Sequence, residues 1–299
     1  MKTSFKLITF IFATSMLFLF TACGEDANNN KNEKDSLSQD VTEINEDNLI
    51  TYLVPSPKDM FAFTKKGDLK YSANVLNAKD NADKYIDTKS QEIGFGIYSA
   101  DLAYTAAFNQ TNTAGEYLKV VERLSDKIGL GSVFTESLIS RFKKIENKDS
   151  LLKVTNDTYY DIVKFLEEND RNTSLSLISV GGWVESLYIV TNLQDKYQKD
   201  NEIIQLIADQ KNIFENIVLS LQQREADPNV ADLIQELQTV KTVYDGLEVI
   251  KIENPNVKNA KANQIIVGGS TKIVMTETQF IQLKKAMADV RNKLAGSDV

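Results

Sequence analysis

Ile93-Gly94-Phe95-Gly96-Ile97-Tyr98-Ser99-Ala100-Asp101-Leu102-Ala103-Tyr104-Thr105-Ala106-Ala107-Phe108 carries a single charged side chain, Asp101. Wound as a helix, this stretch is apolar all round and offers water no face, so it is read as a helix buried inside a bundle. Leu175 to Val190 repeats the pattern around Gly181, Gly182 and Trp183, again with one charge, Glu185. In register, Asp101-x-x-Tyr104 and Gln110 fall over Glu185-x-x-Tyr188 and Gln194. The other segments read as the helices that cover these two.

The buried helices are expected over about Ser90–Gln110 and Ser174–Tyr197. Amphipathic helices are expected at Gly115–Ile128, Val133–Lys144 and Leu151–Glu168, the last with Asp149 or Ser150 as N-cap. Asn201–Arg224 and a helix opened by Pro228 and running to Leu247 continue the 3.6-residue period. Upstream, Pro55-Ser56-Pro57 fixes an extended backbone, Lys58–Lys65 reads as a short helix stopped by Gly67, and Asp68–Asp87 as an Asn-rich loop. Gln264–Val267, a turn at Gly268-Gly269-Ser270-Thr271, and Lys272–Met275 read as a β-hairpin. Thr276-x-x-Gln279 then has capping-box spacing for a last helix ending near Gly296. The expected fold is all-α: a multi-helix bundle with paired antiparallel helices around two buried ones, plus one small β-hairpin near the C-terminus.

The N-terminus has a different grammar. Lys2 and Lys6 precede the apolar run Leu7–Phe20, which ends at Thr21-Ala22-Cys23. A basic start, a short apolar run and small residues at its end make a cleaved signal peptide, 1–22. The run is shorter than the roughly twenty residues a membrane span needs. Phe20-Thr21-Ala22-Cys23 resembles the bacterial lipobox, with Phe20 where Leu is usual, in which the Cys is diacylated and becomes the first mature residue. Such chains hold a protein on a membrane. Residues 23–48 then set eight acids against Lys31 and Lys34, with almost no large apolar side chains. That composition cannot offset its ordering entropy and is expected to be a disordered tether. Residues 49–299 are expected to form a single helical domain. By similarity to Gram-negative lipoproteins, Gly24 after the Cys favours the outer membrane; its periplasmic face and the cell surface both stay open.

Composition excludes several chemistries. The formal net charge is −8 and no Lys/Arg cluster is dense enough to track phosphates, so nucleic acid is not expected as a partner. There is no His, the commonest general base and transition-metal ligand. The one Cys forms no intramolecular disulfide and no Cys-based zinc site. With neither His nor a mature thiol, the usual nucleophilic triads are excluded. Val267-Gly268-Gly269-Ser270-Thr271-Lys272 lacks the spacing of a phosphate loop.

Pro55-Ser56-Pro57, Asn81-x-x-Lys84-Tyr85, Gly96-x-Tyr98-x-x-Asp101-Leu102-x-Tyr104 and Gly181-Gly182-Trp183-x-Glu185-x-Leu187-Tyr188 together resemble a family of helical outer-membrane lipoproteins of Gram-negative bacteria. The likeness covers about residues 50–195. It implies a helical fold and an envelope location, and lends no catalytic residue.

The candidate ligand-binding residues are Asp101, Tyr104, Glu185, Tyr188 and Trp183. An ionised carboxylate among apolar neighbours is costly unless something answers it. Tyr104 and Tyr188, at i+3, share a helical face with Asp101 and Glu185 and can donate to them. A satisfied core carboxylate, bonded to a Tyr, a backbone amide or a Lys from a neighbouring helix, is the structural alternative. Facing carboxylates on bundle helices also build metal sites, and without His the ion would be a hard, oxygen-bound one such as calcium or magnesium. Trp183 reads either as a stacking platform or as buried core. The glycines either expose backbone or let helices approach closely.

The function expected is that of a non-enzymatic, lipid-anchored binding or scaffold module of the cell envelope. No cofactor, metal or catalytic residue is assigned; its expected partners are the membrane, through Cys23, and an envelope protein or small ligand. Two alternatives are a lipoprotein that captures a small ligand or hard cation near Asp101 and Glu185, and a hydrolase working with carboxylates alone. The first needs these side chains to line a solvent-reaching cavity, the second needs two acids facing a cleft, and the scaffold needs them sealed and satisfied.

Overall fold

The computed structural model of the chain describes residues 56, 60, 61, 69–143, 148–252 and 270–296. The signal peptide, Cys23, the tether, most of Pro55–Gly67 and the 264–269 part of the expected hairpin lie outside the described residues. Helix α1 spans Thr88–Ala107 and α2 Thr111–Lys127. They are followed by α3 (Glu136–Lys143), α4 (Lys148–Glu168) and α5 (Asn172–Leu193). Then come α6 (Glu202–Gln222), α7 (Pro228–Glu236), α8 (Gln238–Asp245) and α9 (Glu277–Leu294). The fold is the expected all-α bundle with one two-stranded antiparallel sheet, β1 (Glu248–Ile252) against β2 (Ser270–Val274).

The two apolar stretches form the buried helices. In α1 every residue from Glu92 to Ala107 except Ser99 is buried; in α5 the buried run is Leu175–Thr191, broken only at Gly182 and Tyr188. Among the described residues α5 alone is long and apolar enough to cross a membrane, and 78% of its most apolar window is buried against protein, which makes it a core helix here. Among the described elements α1 and α5 share the largest interface. Their contacts advance together along both helices, from Glu92 with Arg171 through Gly96 with Ile178 to Asp101 with Glu185, so the two run in the same direction. Near their first turns Arg171 reaches Glu92 at 3.2 Å, and beyond the middle Asp101 meets Glu185. Between these points a Cβ on Gly96 would strike the Ile178 carbonyl, and one on Gly181 the Ile93 carbonyl. The glycines therefore permit backbone-to-backbone approach of the two central helices.

Each buried helix is wrapped by its own partners. α1 packs on α2 and α4, and their side chains form one apolar cluster with α3. α5 packs on α6 and α9, in a second cluster with α7, α8 and β2. Each half thus opens with a buried helix and an amphipathic return and ends in a long closing helix, with one short helix between them in the first half and two short helices and the β-hairpin in the second. α1, α2 and α4 stop on a left-handed residue, Asn109, Gly129 and Asp170 respectively. The next amide bonds back over the turn in each case, as in Gln110 N to Thr105 O at 2.8 Å.

Several boundaries depart from the sequence reading. α2 begins at Thr111, four residues early, because the αL turn at Asn109 reverses the chain at once. Asp149 and Ser150 lie inside α4 rather than capping it. The helix opened by Pro228 is interrupted: α7 ends at Glu236 and α8 starts at Gln238. The hairpin's partner strand is Glu248–Ile252, and Ser270 and Thr271 are paired strand residues, opposite Ile252 and Lys251, rather than turn. The capping box at Thr276 and Gln279 is present with both of its bonds.

A sealed carboxylate pair as the candidate functional site

Asp101 and Glu185 project from the two central helices at the same level and are both fully buried. The parallel packing set by Gly96 and Gly181 brings their carboxyl groups within hydrogen-bonding reach of one another. Each meets a different answer to its charge.

Glu185 is answered by Arg291 of α9. Nε donates to Oε2 at 2.9 Å and Nη2 donates to Oε1 at 3.0 Å, a bidentate pair. Arg291 is itself buried and lies over the Tyr188 ring, 4.7 Å from its centroid. Burial pushes the Glu185 carboxyl upward and Arg291 opposes it. Burial pulls the guanidinium downward, and Glu185 more than compensates, holding it above its ordinary value. This pair is an ion pair.

Asp101 has no cation of its own. Its Oδ2 accepts from the backbone N–H of Asn77 at 3.2 Å, while Oδ1 meets no donor. The neighbouring group is the Glu185 carboxylate, itself an acceptor, so only a proton between the two turns the contact into a hydrogen bond. Burial first, and the Glu185 charge second, hold the Asp101 carboxyl well above the usual carboxylate range. Asp101 therefore carries the proton and donates it toward Glu185, which stays ionised against Arg291.

A ring of tyrosines and backbone closes the pocket. Asn77, fully buried, sits between the single-turn 3₁₀ helix Ala73–Val75 and a second one, Lys79–Lys84. Tyr117 Oη donates to the Asn77 carbonyl at 2.7 Å, and Tyr98 Oη to the Ala78 carbonyl at 2.6 Å. Tyr85 Oη accepts from Asn77 Nδ2 at 3.3 Å and donates to the Ala295 carbonyl at 3.2 Å. Burial, above all, raises the phenol pKa of Tyr85, Tyr98 and Tyr117, so all three remain neutral donors. The Asn-rich segment read as plain loop thus supplies the lid of the centre and ties it to the end of α9.

Of the sequence candidates, Asp101, Glu185 and Tyr188 come together here. Tyr104 does not serve Asp101: its hydroxyl accepts from Ser72 N at 2.9 Å and donates to Ser72 O at 3.2 Å, and burial lifts its pKa to about 12. Trp183 lies in the second apolar cluster, 1% exposed and stacked on Phe214 at 5.2 Å, with Nε1 donating to Gln210 Oε1 at 3.0 Å. Its rings face protein on both sides, so it is a core residue. Sequence reasoning did not single out Arg291 or Asn77. Tyr85 and Tyr98 stood in the family-like motif without an assigned role. Among the described residues no group of three or more potential metal-ligating side chains occurs.

Comparison with known proteins finds no family model, no curated protein and no solved structure that matches this chain.

Proposed function

We propose that this chain is a non-enzymatic, lipid-anchored binding or scaffold module of the cell envelope, held at the outer membrane by an acylated Cys23 and related to the helical lipoproteins its motifs resemble. The observation that carries the reading is the closure of the Asp101–Glu185 pair. Its two carboxyls are fully buried, one held by a bidentate arginine and the other by the Asn77 amide, with burial and the Glu185 charge favouring its protonated form. A carboxylate hydrolase needs its acids at a cleft, and a captured cation needs anionic oxygens open to it, whereas this pair is buried and the Glu185 charge is already met by Arg291. The polar centre fits a lock between the two halves of a stable bundle, and leaves the outer surface as the working part.

The anchor is tested by feeding cells an alkyne-tagged palmitate and comparing wild type with Cys23→Ser. Label on the wild-type chain, absent from the variant and accompanied by its release from the membrane fraction, is the expected result. An unlabelled, soluble wild-type chain would contradict it.

A further inference from the structure

A cavity of about 740 Å³ opens where the chain passes from α5 to α6, against the segment Leu69–Val75. We propose that it is a binding site for a neutral, hydroxyl-rich ligand, a short oligosaccharide. The inference gives the binding module a ligand and rests on that reading, but it does not depend on the lipid anchor.

The wall is built from amide side chains. Gln194 is the C-cap of α5 and only 7% exposed, yet it lines the cavity. Its Nε2 donates to the Lys196 carbonyl at 2.6 Å, which fixes which end of the amide is which and leaves Oε1 as an oriented acceptor. Asn192 is held by Nδ2 on the Tyr188 carbonyl at 2.8 Å, and its oxygen is likewise turned to accept. Gln198 lines the same cavity and accepts from Asn201 Nδ2 at 3.2 Å, which leaves its own amide N–H₂ to donate. Tyr71 adds an aromatic wall, its ring fixed by stacking on Tyr104 at 5.4 Å. Fixed amide acceptors and donors along one wall match the vicinal hydroxyls of a sugar.

Charge argues against an ionic ligand. Lys70 and Lys196 at the cavity are balanced by Asp195 and Glu202, so no net field favours an anion or a cation. The first turn of α6, the usual anion seat, is already occupied by Asn201 Oδ1, which accepts from Ile203 N at 2.8 Å and Ile204 N at 3.3 Å. Balanced charge with several oriented amides selects hydroxyl groups. The volume lies within the range of sites for small ligands.

The test is binding of the purified full chain in detergent to an array of neutral and acidic oligosaccharides, followed by calorimetry on the strongest hit. At least one neutral oligosaccharide is expected to bind. Gln198→Ala, on the exposed rim, and Gln194→Met, in the floor, are each expected to weaken it by about tenfold, the scale of one lost hydrogen bond. Lys119→Glu, in a separate groove beside α2, is expected to leave it unchanged. Failure of every neutral oligosaccharide to bind, or binding indifferent to both Gln198→Ala and Gln194→Met, would overturn the site; either result leaves the binding-module reading standing on protein partners. Binding restricted to acidic sugars and abolished by Lys196→Glu would overturn the assignment of a neutral ligand.

Discussion

Arg291, on the last helix, holds Glu185, 106 residues earlier, by two parallel hydrogen bonds of 2.9 and 3.0 Å inside the bundle. Among the described residues it is the one buried ion pair that joins α9 to a central helix, and it makes the C-terminal helix part of the core.

Removing one partner of a buried pair strands the other charge. Arg291→Met and Glu185→Gln are therefore each expected to destabilise the fold by ~3–5 kcal/mol. The double variant, which strands neither charge, is expected to be clearly more stable than the sum of the two losses. Denaturant unfolding of the three chains measures this coupling. Additive losses would mean that the pair is not a closed unit.

Asp101 behaves oppositely. Its carboxyl is held well above its ordinary value in the fold, so the folded chain binds a proton that the unfolded chain releases. The stability this proton provides is complete below the ordinary carboxylate pKa and is lost as pH rises toward the folded value. Asp101→Asn keeps the shape, supplies a permanent donor toward Glu185 and removes the titration. The variant is expected to equal or exceed wild type in stability at neutral pH, with the gap widening as pH rises. The difference in slope should not exceed about 1.4 kcal/mol per pH unit, the value for one proton. Unfolding free energies measured from pH 4 to 9 decide it, and parallel curves for the two chains would contradict a protonated Asp101.

Glycine substitutions separate close packing from helix propensity. Gly96→Ala and Gly181→Ala each drive a methyl into a backbone carbonyl of the facing helix, and a loss of ~1–3 kcal/mol is expected. Gly115, exposed on α2, has nothing within 4 Å of the same added atom. Gly115→Ala is expected to stabilise by up to about 1 kcal/mol, from helix propensity alone. Thermal melts of the three variants should show opposite signs.

Thr276 Oγ1 accepts from Gln279 N at 3.3 Å and Gln279 Oε1 accepts from Thr276 N at 2.9 Å at the start of α9. Thr276→Ala is expected to cost ~1 kcal/mol. Because α9 carries Arg291, amide exchange in its first turn should rise before exchange near Glu185 does.

The buried helices were legible because burial on all sides demands an unusual sequence, one charge in a long apolar run, and α1 and α5 both meet it. The single charges, Asp101 and Glu185, were legible for the same reason. Whether they share a site is not legible in the repeat alone, because it depends on the two helices packing in the same direction, which Gly96 and Gly181 permit only in the fold. Arg291 was invisible because it sits at a position of an amphipathic helix where an arginine ordinarily faces water. Asn77 was invisible because its contact uses the backbone N–H, which every non-proline residue carries. Tyr104 was misassigned because i+3 spacing fixes a shared face but not the direction in which a long side chain reaches. The strand Glu248–Ile252 was missed because all its residues are exposed, so burial imposed no alternation on it.

The most direct measurement is the melting temperature of the full chain, as wild type and Glu185→Gln, with calcium, with magnesium and with chelator. If Arg291 and one proton close the centre, the wild-type midpoint will be the same under all three conditions and Glu185→Gln will melt lower in each. A rise in the wild-type midpoint with either ion, lost in Glu185→Gln, would contradict that closure and make the carboxylate pair a cation site.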